Sequence, residues 1–357
     1  MGYLNEQLIT YLGNKRKLLN LIQTALDQTE NVTTIIDLFS GSGVVSRYFK
    51  ENGYNTISND LEDYAKTINE CYMSNSNDFN LETWHNIYEK IINYPLVEDG
   101  IISRLYAPKD TNNIQPNERV FYTRENAILL DTYRTAIQEV CPENYKKFFL
   151  APLLSQASIH TNTSGVFKGF YKGKSGIGKF GGEGANALER IMGTIKLEPP
   201  VLSSKQTNYA IYQEDANSLS KKITGDLAYL DPPYNQHPYG SNYHMLTTIN
   251  NYTEPKNISK VSGIPADWNR SKYNVQSEVG ATLDKLINDL QVKYVILSYN
   301  SEGFLSYDEI VDILTKYGDV QVFYEEYNTF RGSRNLNNRP LTVNEYVFLL
   351  TKNSTLQ

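Results

Sequence analysis

Asp231-Pro232-Pro233-Tyr234 sets an acid, a proline carbonyl and a phenol ring within four residues. Each proline fixes its own φ and pushes the residue before it out of the helical region, so the backbone there is stiff. Proline lacks an amide hydrogen, but its carbonyl still accepts hydrogen bonds. An acid and a carbonyl that accept N–H hydrogens, beside a ring that can stack, suit a flat base bearing an exocyclic amine. The bland alternative is a Pro-Pro turn with an incidental acid and tyrosine. Position argues against it: the preceding run Leu227-Ala228-Tyr229-Leu230 reads as a buried strand. Asp231 then stands at the carboxyl end of a strand, the edge where ligands bind in an open α/β sheet.

A second group of residues could hold a cofactor. Asp37 ends the apolar run Ile35-Ile36 and leads into Ser40-Gly41-Ser42-Gly43. Gly41 and Gly43 form a G-x-G, while Ser46 stands where a dinucleotide fingerprint has its third glycine. Glycines let the backbone approach a ligand closely, and the start of the following helix favours an anion. A cofactor's carboxylate satisfies that as well as a pyrophosphate does. Asp37 could be a turn carboxylate, but a positively charged amino group on a cofactor explains it better. Asp60, roughly twenty residues further on, stands where an acid accepts hydrogen bonds from ribose hydroxyls; a turn or cap residue is the alternative.

The elements that position these residues follow from periodicity. Leu18, Ile22 and Leu26 mark the buried face of a helix after a loop that begins at Thr10. Ile35 to Phe39 reads as a strand. Val44, Val45, Tyr48 and Phe49 form one side of the next helix, with Gly53 as its stop, and Asn55 to Asn59 is a second strand. Strand patterns return at Tyr209–Tyr212, Leu227–Leu230 and Lys293–Leu297, and Val320–Tyr324 and Glu345–Leu350 read as a closing pair. Between them the alternation breaks. Leu130, Tyr133, Ile137 and Val140 outline a helix, and Phe148 to Ile159 reads as another with Pro152 near its start. Thr161 to Gly184 is a long loop or hairpin, and Pro232 to Val279 a polar segment suited to a flexible cover. The predicted organisation is a catalytic domain of residues 1–61 and 207–357, with residues 62–206 inserted as a second domain.

Composition excludes several classes. The 357 residues are 40% hydrophobic and 21% charged, which excludes global disorder. With no long apolar run or basic-apolar leader, the expectation is a soluble, cytoplasmic protein. Cys71 and Cys141 form no CxxC pair and the four histidines form no HExxH, so no metal is expected. The net charge of −6 argues against indiscriminate nucleic-acid binding. Charge is nevertheless local: His160 to Gly182 holds Lys168, Lys172, Lys174 and Lys179 without an acid, and Asn328 to Arg339 holds Arg331, Arg334 and Arg339 likewise. Alone, both segments read as solvated loops.

Taken in order, these motifs resemble the N6-adenine DNA methyltransferases of the DNA adenine methylase type. Thr10-Tyr11-Leu12-Gly13-Asn14-Lys15 resembles that family's amino-terminal cofactor segment, and Asp37-Leu38-Phe39-Ser40-Gly41-Ser42-Gly43 its main cofactor loop. Asp60 matches the ribose acid, Glu214-Asp215-Ala216 the contact to the cofactor's adenine, and Asp231-Pro232-Pro233-Tyr234 the catalytic motif. Ser241-Asn242-Tyr243-His244 and Leu297-Ser298-Tyr299-Asn300 are similar to later pocket segments.

The resemblance implies a Rossmann-like α/β sheet, mostly parallel with an antiparallel last strand, and a mainly helical target-recognition insertion. It implies S-adenosylmethionine as cofactor, held by Tyr11, Lys15, Asp37, Phe39, Ser40, Gly41, Gly43, Asp60, Asp215, Ala216 and Asp231. It implies catalysis by Asp231, Pro232 and Tyr234 on an adenine flipped from double-stranded DNA. Asn162 to Phe170 resembles a DNA-contacting hairpin, which raises Lys168, Lys172, Lys174 and Lys179 to expected phosphate contacts, with Arg331 and Arg334 beside them. The expected setting is bacterial or phage-borne: a modification enzyme, orphan or accompanied by a restriction endonuclease. Competing readings are N4-cytosine methylation, a nicotinamide oxidoreductase and a non-catalytic DNA-binding protein. Aspartate at position 231 favours adenine, and the missing third glycine disfavours nicotinamide.

Overall fold

The structure is a computed structural model that describes residues 2–328 and 342–353. The chain divides into two compact units. One comprises Met1–Gly13, Glu62–Ser204 and Tyr239–Asn269; the other comprises Asn14–Leu61, Lys205–Pro238 and Arg270–Gln357. Relative to the boundaries expected from sequence, the first unit also takes in the amino-terminal thirteen residues and Tyr239–Asn269.

The second unit is built on a seven-stranded sheet. Its strands are β1 (Thr34–Asp37), β2 (Asn55–Asn59), β3 (Tyr209–Tyr212), β4 (Leu227–Leu230), β5 (Tyr294–Asn300), β6 (Gly318–Asn328) and β7 (Thr342–Lys352), in the order β3-β2-β1-β4-β5-β7-β6. β3 through β5 pair in parallel, and β7 runs antiparallel to both β5 and β6. This is the Rossmann-like arrangement expected. Every residue of β4 and β5 is buried, because helices cover both faces of a parallel sheet. Alternate residues point to opposite faces. Ile36, Leu38, Ala228, Leu230, Val295 and Leu297 pack with the helices Gln276–Asp289 and Tyr307–Leu314. Ile35, Leu227, Tyr229, Ile296 and Val347 pack with Leu18, Ile22 and Leu26 and with Val45 and Phe49 of helix Val44–Glu51. The chain moves outward from β1 through β2 to β3 and then returns to place β4 on the other side of β1. The carboxyl ends of β1 and β4 therefore flank a topological switch point.

The first unit is mainly helical, with helices at Asp63–Tyr72, Leu81–Ile92, Arg124–Val140, Glu143–Ile159 and His244–Asn251. Two expectations are corrected here. Helix Glu143–Ile159 starts five residues earlier than expected, so Pro152 lies inside it. Pro152 cannot donate to the carbonyl of Phe148, four residues back, and the Trp84 indole Nε1–H donates to that carbonyl instead (3.4 Å). The segment after Pro232 is not a simple flexible cover either. Tyr239–Asn269 belongs to the helical unit and contributes helix His244–Asn251, whose His244, Met245, Leu246, Thr248 and Ile249 are buried. Arg134 donates to the carbonyls of Ile249 (2.6 Å) and Asn250 (3.0 Å), covering acceptors that the helix end leaves unpaired.

Among the described residues no helix is long and apolar enough to cross a membrane. Cys71 and Cys141 are both buried free thiols, as expected from their spacing.

Candidate active site

Asp37, the last residue of β1, is 1% exposed. Its Oδ2 accepts a hydrogen bond from the Ser46 hydroxyl (2.6 Å), which itself lies 2.8 Å from the Ser58 hydroxyl at the end of β2. Its Oδ1 is buried and has no hydrogen-bond partner of ordinary geometry among the described residues, although the Phe39 amide is near enough to pull the carboxyl down. Burial pushes the Asp37 carboxyl up to about 7 against the pull of the Ser46 hydrogen bond; nearby Asp231 and Asp60 add to the push. Ser46, which departs from the dinucleotide fingerprint, is therefore what anchors the acid.

The loop after β1 is tied at several points. Gly41 and Gly43 have φ of 47° and 76°, the left-handed region where a side chain is strained. The Asp60 Oδ2 accepts from the Gly41 amide (2.7 Å). Ser40 donates its amide (2.9 Å) and its hydroxyl (3.0 Å) to the Asn59 carbonyl. Buried Asn59 in turn donates to the carbonyls of Leu38 (3.1 Å) and Glu214 (3.0 Å), and accepts from the Glu214 amide. Asn59 thereby links the ends of β1, β2 and β3. Next to Glu214, Asp215 caps the short helix Ala216–Leu219 by accepting from the Ser218 amide (3.0 Å). Ala216 is buried, and Phe39 meets Tyr273 edge-on at 5.1 Å.

Asp231 follows β4, with its side chain 20% exposed. Its Oδ1 lies 3.0 Å from the ammonium of Lys15, which is 5% exposed. Lys15 opens a short 3-10 turn whose Arg16 amide donates to the Asn14 side chain. The same ammonium lies 5.9 Å from the centre of the Tyr234 ring, and that ring meets Tyr299 at 6.1 Å. The corner is pinned from outside, since the Tyr234 carbonyl accepts from Phe304 N (2.9 Å) and the Asn235 carbonyl from Asn274 Nδ2 (2.7 Å). Burial pushes the Asp231 carboxyl up to about 6, Lys15 pulls it down, and Glu345 on β7 pushes it up. Burial works against the Lys15 charge, yet Asp231, Glu345 and Tyr234 together hold its pKa above the ordinary lysine value.

Lys15, Asp37, Phe39, Ser40, Gly41, Gly43, Asp60, Asp215, Ala216, Asp231, Pro232 and Tyr234 thus share the sheet unit. Tyr11 does not. It belongs to the helical unit, where its ring stacks on Tyr239 (4.9 Å) and Tyr243 (4.6 Å).

The D12 class of N6 adenine-specific DNA methyltransferases matches residues 11–313, most of the chain. The chain belongs to this family. It is an adenine-specific DNA methyltransferase that uses S-adenosylmethionine. The type II methyltransferase M.NlaIII of Neisseria lactamica is 30% identical to it over 96% of this chain and 99% of its own. M.CviAII of Paramecium bursaria Chlorella virus 1 is also 30% identical, over 96% of this chain and 98% of its own. M.FokI of Planomicrobium okeanokoites is 28% identical over 97% of this chain, which spans 53% of that longer protein. A solved SAM-dependent methyltransferase from Methanosarcina mazei shares 10% identity over 93% of this chain and 96% of its own, at a TM-score of 0.30. That score is too low to bear on the fold, which the strand order carries.

The methyltransferase's own residues fit the cofactor. The orphaned, buried Asp37 Oδ1 suits a cationic donor, and S-adenosylmethionine carries both an ammonium and a sulfonium. Among the described residues no cluster of His, Cys, Asp or Glu could hold a metal.

The basic segments have different standings. Lys168, Lys172, Lys174 and Lys179 are all exposed in the helical unit. They lie on a segment pinned by the Lys172–Gly178 bridge and by buried Asn162, which donates to the Val120 carbonyl and accepts from the Gly181 amide. Glu183 stands one residue past the acid-free run. It pairs with Lys179 (3.5 Å) and accepts from the Lys174 amide (2.9 Å). Arg331, Arg334 and Arg339 lie outside the described residues.

Three contributors escaped the sequence reading: Ser46, Asn59 and Glu345. A usable signal existed for Glu345, an acid at the edge of the apolar run Tyr346 to Leu350. The same signal picked out Asp37 and Asp231.

Proposed function

We propose that Asp231, Pro232 and Tyr234 grip a flipped adenine, and that Asp37, the Ser40–Gly43 loop and Asp60 hold the cofactor beside it. One observation carries this reading. Two raised carboxylates stand at the ends of neighbouring strands at the switch point, one with an orphaned oxygen and one partly open. S-adenosylmethionine, when bound, supplies a methyl group on a sulfonium.

The amine of adenine is conjugated with its ring and is a weak nucleophile. Tyr234 stacks on the extruded base. The Asp231 carboxylate and the Pro232 carbonyl accept the two amine hydrogens, which localises the nitrogen lone pair and fixes its direction. Asp231 also stabilises positive charge as it grows on that nitrogen. With its pKa near 6, Asp231 can take the surplus proton and release it to water at neutral pH.

The helical unit serves as the target-recognition domain, with Lys168, Lys172 and Lys174 on phosphates. Arg331 and Arg334 are proposed as further backbone contacts. Relatives described as type II methyltransferases support a modification role beside a restriction endonuclease. The test of the chemistry is mass spectrometry of nucleosides from DNA incubated with the protein and S-adenosylmethionine. N6-methyladenine is expected; N4-methylcytosine instead would overturn the base assignment.

A further inference from the structure

The two prolines stiffen the backbone ahead of Tyr234 but leave its side chain a choice of rotamers. A ring that must receive a base in one plane needs a backing of its own. That backing stands on β5. The Tyr299 ring is 1% exposed and meets the Tyr234 ring at 6.1 Å and 65°, an edge contact of the kind aromatic pairs prefer.

Tyr299 is itself held by the turn that follows it. Its hydroxyl oxygen accepts from the Leu305 amide (3.2 Å). Gly303 packs so closely on the ring that a β-carbon there would fall 2.8 Å from Cζ and nearer still to Cε1. The turn is closed by the Gly303 amide on the Asn300 carbonyl (2.9 Å) and by the Glu302 amide on the Asn300 Oδ1 (2.8 Å). Its Phe304 amide donates to the Tyr234 carbonyl (2.9 Å). One turn, residues 300–305, thus holds Tyr234 twice: its backbone directly, and its ring through Tyr299.

We infer that Tyr299 is a positioning residue that fixes the plane of the base-stacking Tyr234 ring, and that position 303 is glycine because a side chain there would displace Tyr299. This rests on the reading of Tyr234 as the stacking ring proposed above. Tyr299 acts only through Tyr234. The leverage is large, because a misplacement on the order of 1 Å can cost about a hundredfold in rate.

The test uses the full chain, with single-turnover transfer of tritiated methyl groups to unmethylated genomic DNA. Affinity for S-adenosylmethionine and thermal melting are measured beside it. Gly303→Ala pushes on Tyr299 while leaving both rings chemically intact, and Tyr299→Leu removes the edge contact. Each is expected to slow transfer roughly tenfold, with cofactor affinity near wild type. Tyr299→Phe, which keeps the ring, should recover most of the rate. In a Tyr234→Ala chain, already slow, the same two replacements should change the rate by less than about twofold, because the ring they position is gone.

Undiminished transfer by folded Gly303→Ala and Tyr299→Leu chains overturns the inference. So does a loss that is equally large in the Tyr234→Ala background, which would mark a merely structural role. Should either single variant fail to fold, the chain carrying both replacements, in which the added methyl fills space the ring vacated, carries the same comparison. If Tyr234→Ala itself transfers at the wild-type rate, the reading of Tyr234 fails instead, and the two failures are distinct.

Discussion

The ammonium of Lys15 lies 3.0 Å from the Asp231 carboxylate, and both are largely withdrawn from water. The acid at the centre of the proposed chemistry is thus already paired before any base reaches it. A carboxylate has two oxygens and about four acceptor positions, so one ammonium on Oδ1 leaves room for an amine. The pair tunes the acid as well as occupying it. Burial alone would drive Asp231 higher, and Lys15 brings it back to about 6.

Removing Lys15 should therefore raise the acid limb of methyl transfer. In Lys15→Met the Asp231 carboxyl loses the charge that lowers it, so the limb should rise by about one pH unit or more. The rate should fall by roughly tenfold at pH values below the limb and by about twofold or more at pH 7. A pH–rate profile of tritium transfer checks this, and a limb that stays near pH 6 would count against the pairing.

Asp37 predicts a proton signature for cofactor binding. Its carboxyl sits near 7 in the folded chain, so at neutral pH it is partly protonated. A cationic ligand favours the ionised form, and binding should release protons. Calorimetry at pH 7 in two buffers of different ionisation heat should give different apparent enthalpies. Asp37→Asn should abolish that difference and weaken binding by about tenfold to a hundredfold, the worth of a hydrogen bond to a charged group.

The same residue sets a stability trend. Its folded pKa is raised above the unfolded value, so the folded state holds the extra proton between them. Stability contributed by the protonated form is present below about pH 4 and is lost as pH rises through 7. Thermal melts of the ligand-free chain should show a drop between pH 5 and 8 that Asp37→Asn lacks. Ser46→Ala removes the hydrogen bond that opposes this push and should cost about 1–3 kcal/mol at neutral pH.

The lysine segment predicts unequal contributions to DNA binding. Replacing Lys168, Lys172 and Lys174 with Ala should lower the slope of log affinity against log salt by roughly 2 to 3, near 0.9 for each phosphate contact. Lys179→Ala should change it less, because Glu183 already pairs with that ammonium. A slope left unchanged by the triple replacement would place the DNA surface elsewhere.

Legibility in the sequence followed the range of each signal. β1, β3 and β4 are readable as short apolar runs, β2 follows from its place after the first helix, and Asp37 and Asp231 are readable as acids at strand ends. Local pattern carries that information because strand burial is local in sequence. Helix His244–Asn251 was missed because its buried face mixes Met245 and Ile249 with His244 and Thr248, so the apolar period is weak. The start of helix Glu143–Ile159 was misplaced because Pro152 reads as a boundary. Trp84, more than sixty residues earlier, supplies the hydrogen bond that lets the helix continue. Glu183 stands one residue past the acid-free run, and its pairing with Lys179 depends on the turn between them. Asn59 matters through partners on other strands, which no window of sequence joins.

The most direct measurement is single-turnover transfer of tritiated methyl groups by Asp231→Asn against wild type, with the fold of both verified by thermal melting. The account predicts N6-methyladenine from the wild type and a loss of at least about a hundredfold in the variant, while S-adenosylmethionine still binds. Transfer at near wild-type rate by a folded Asp231→Asn chain would contradict it.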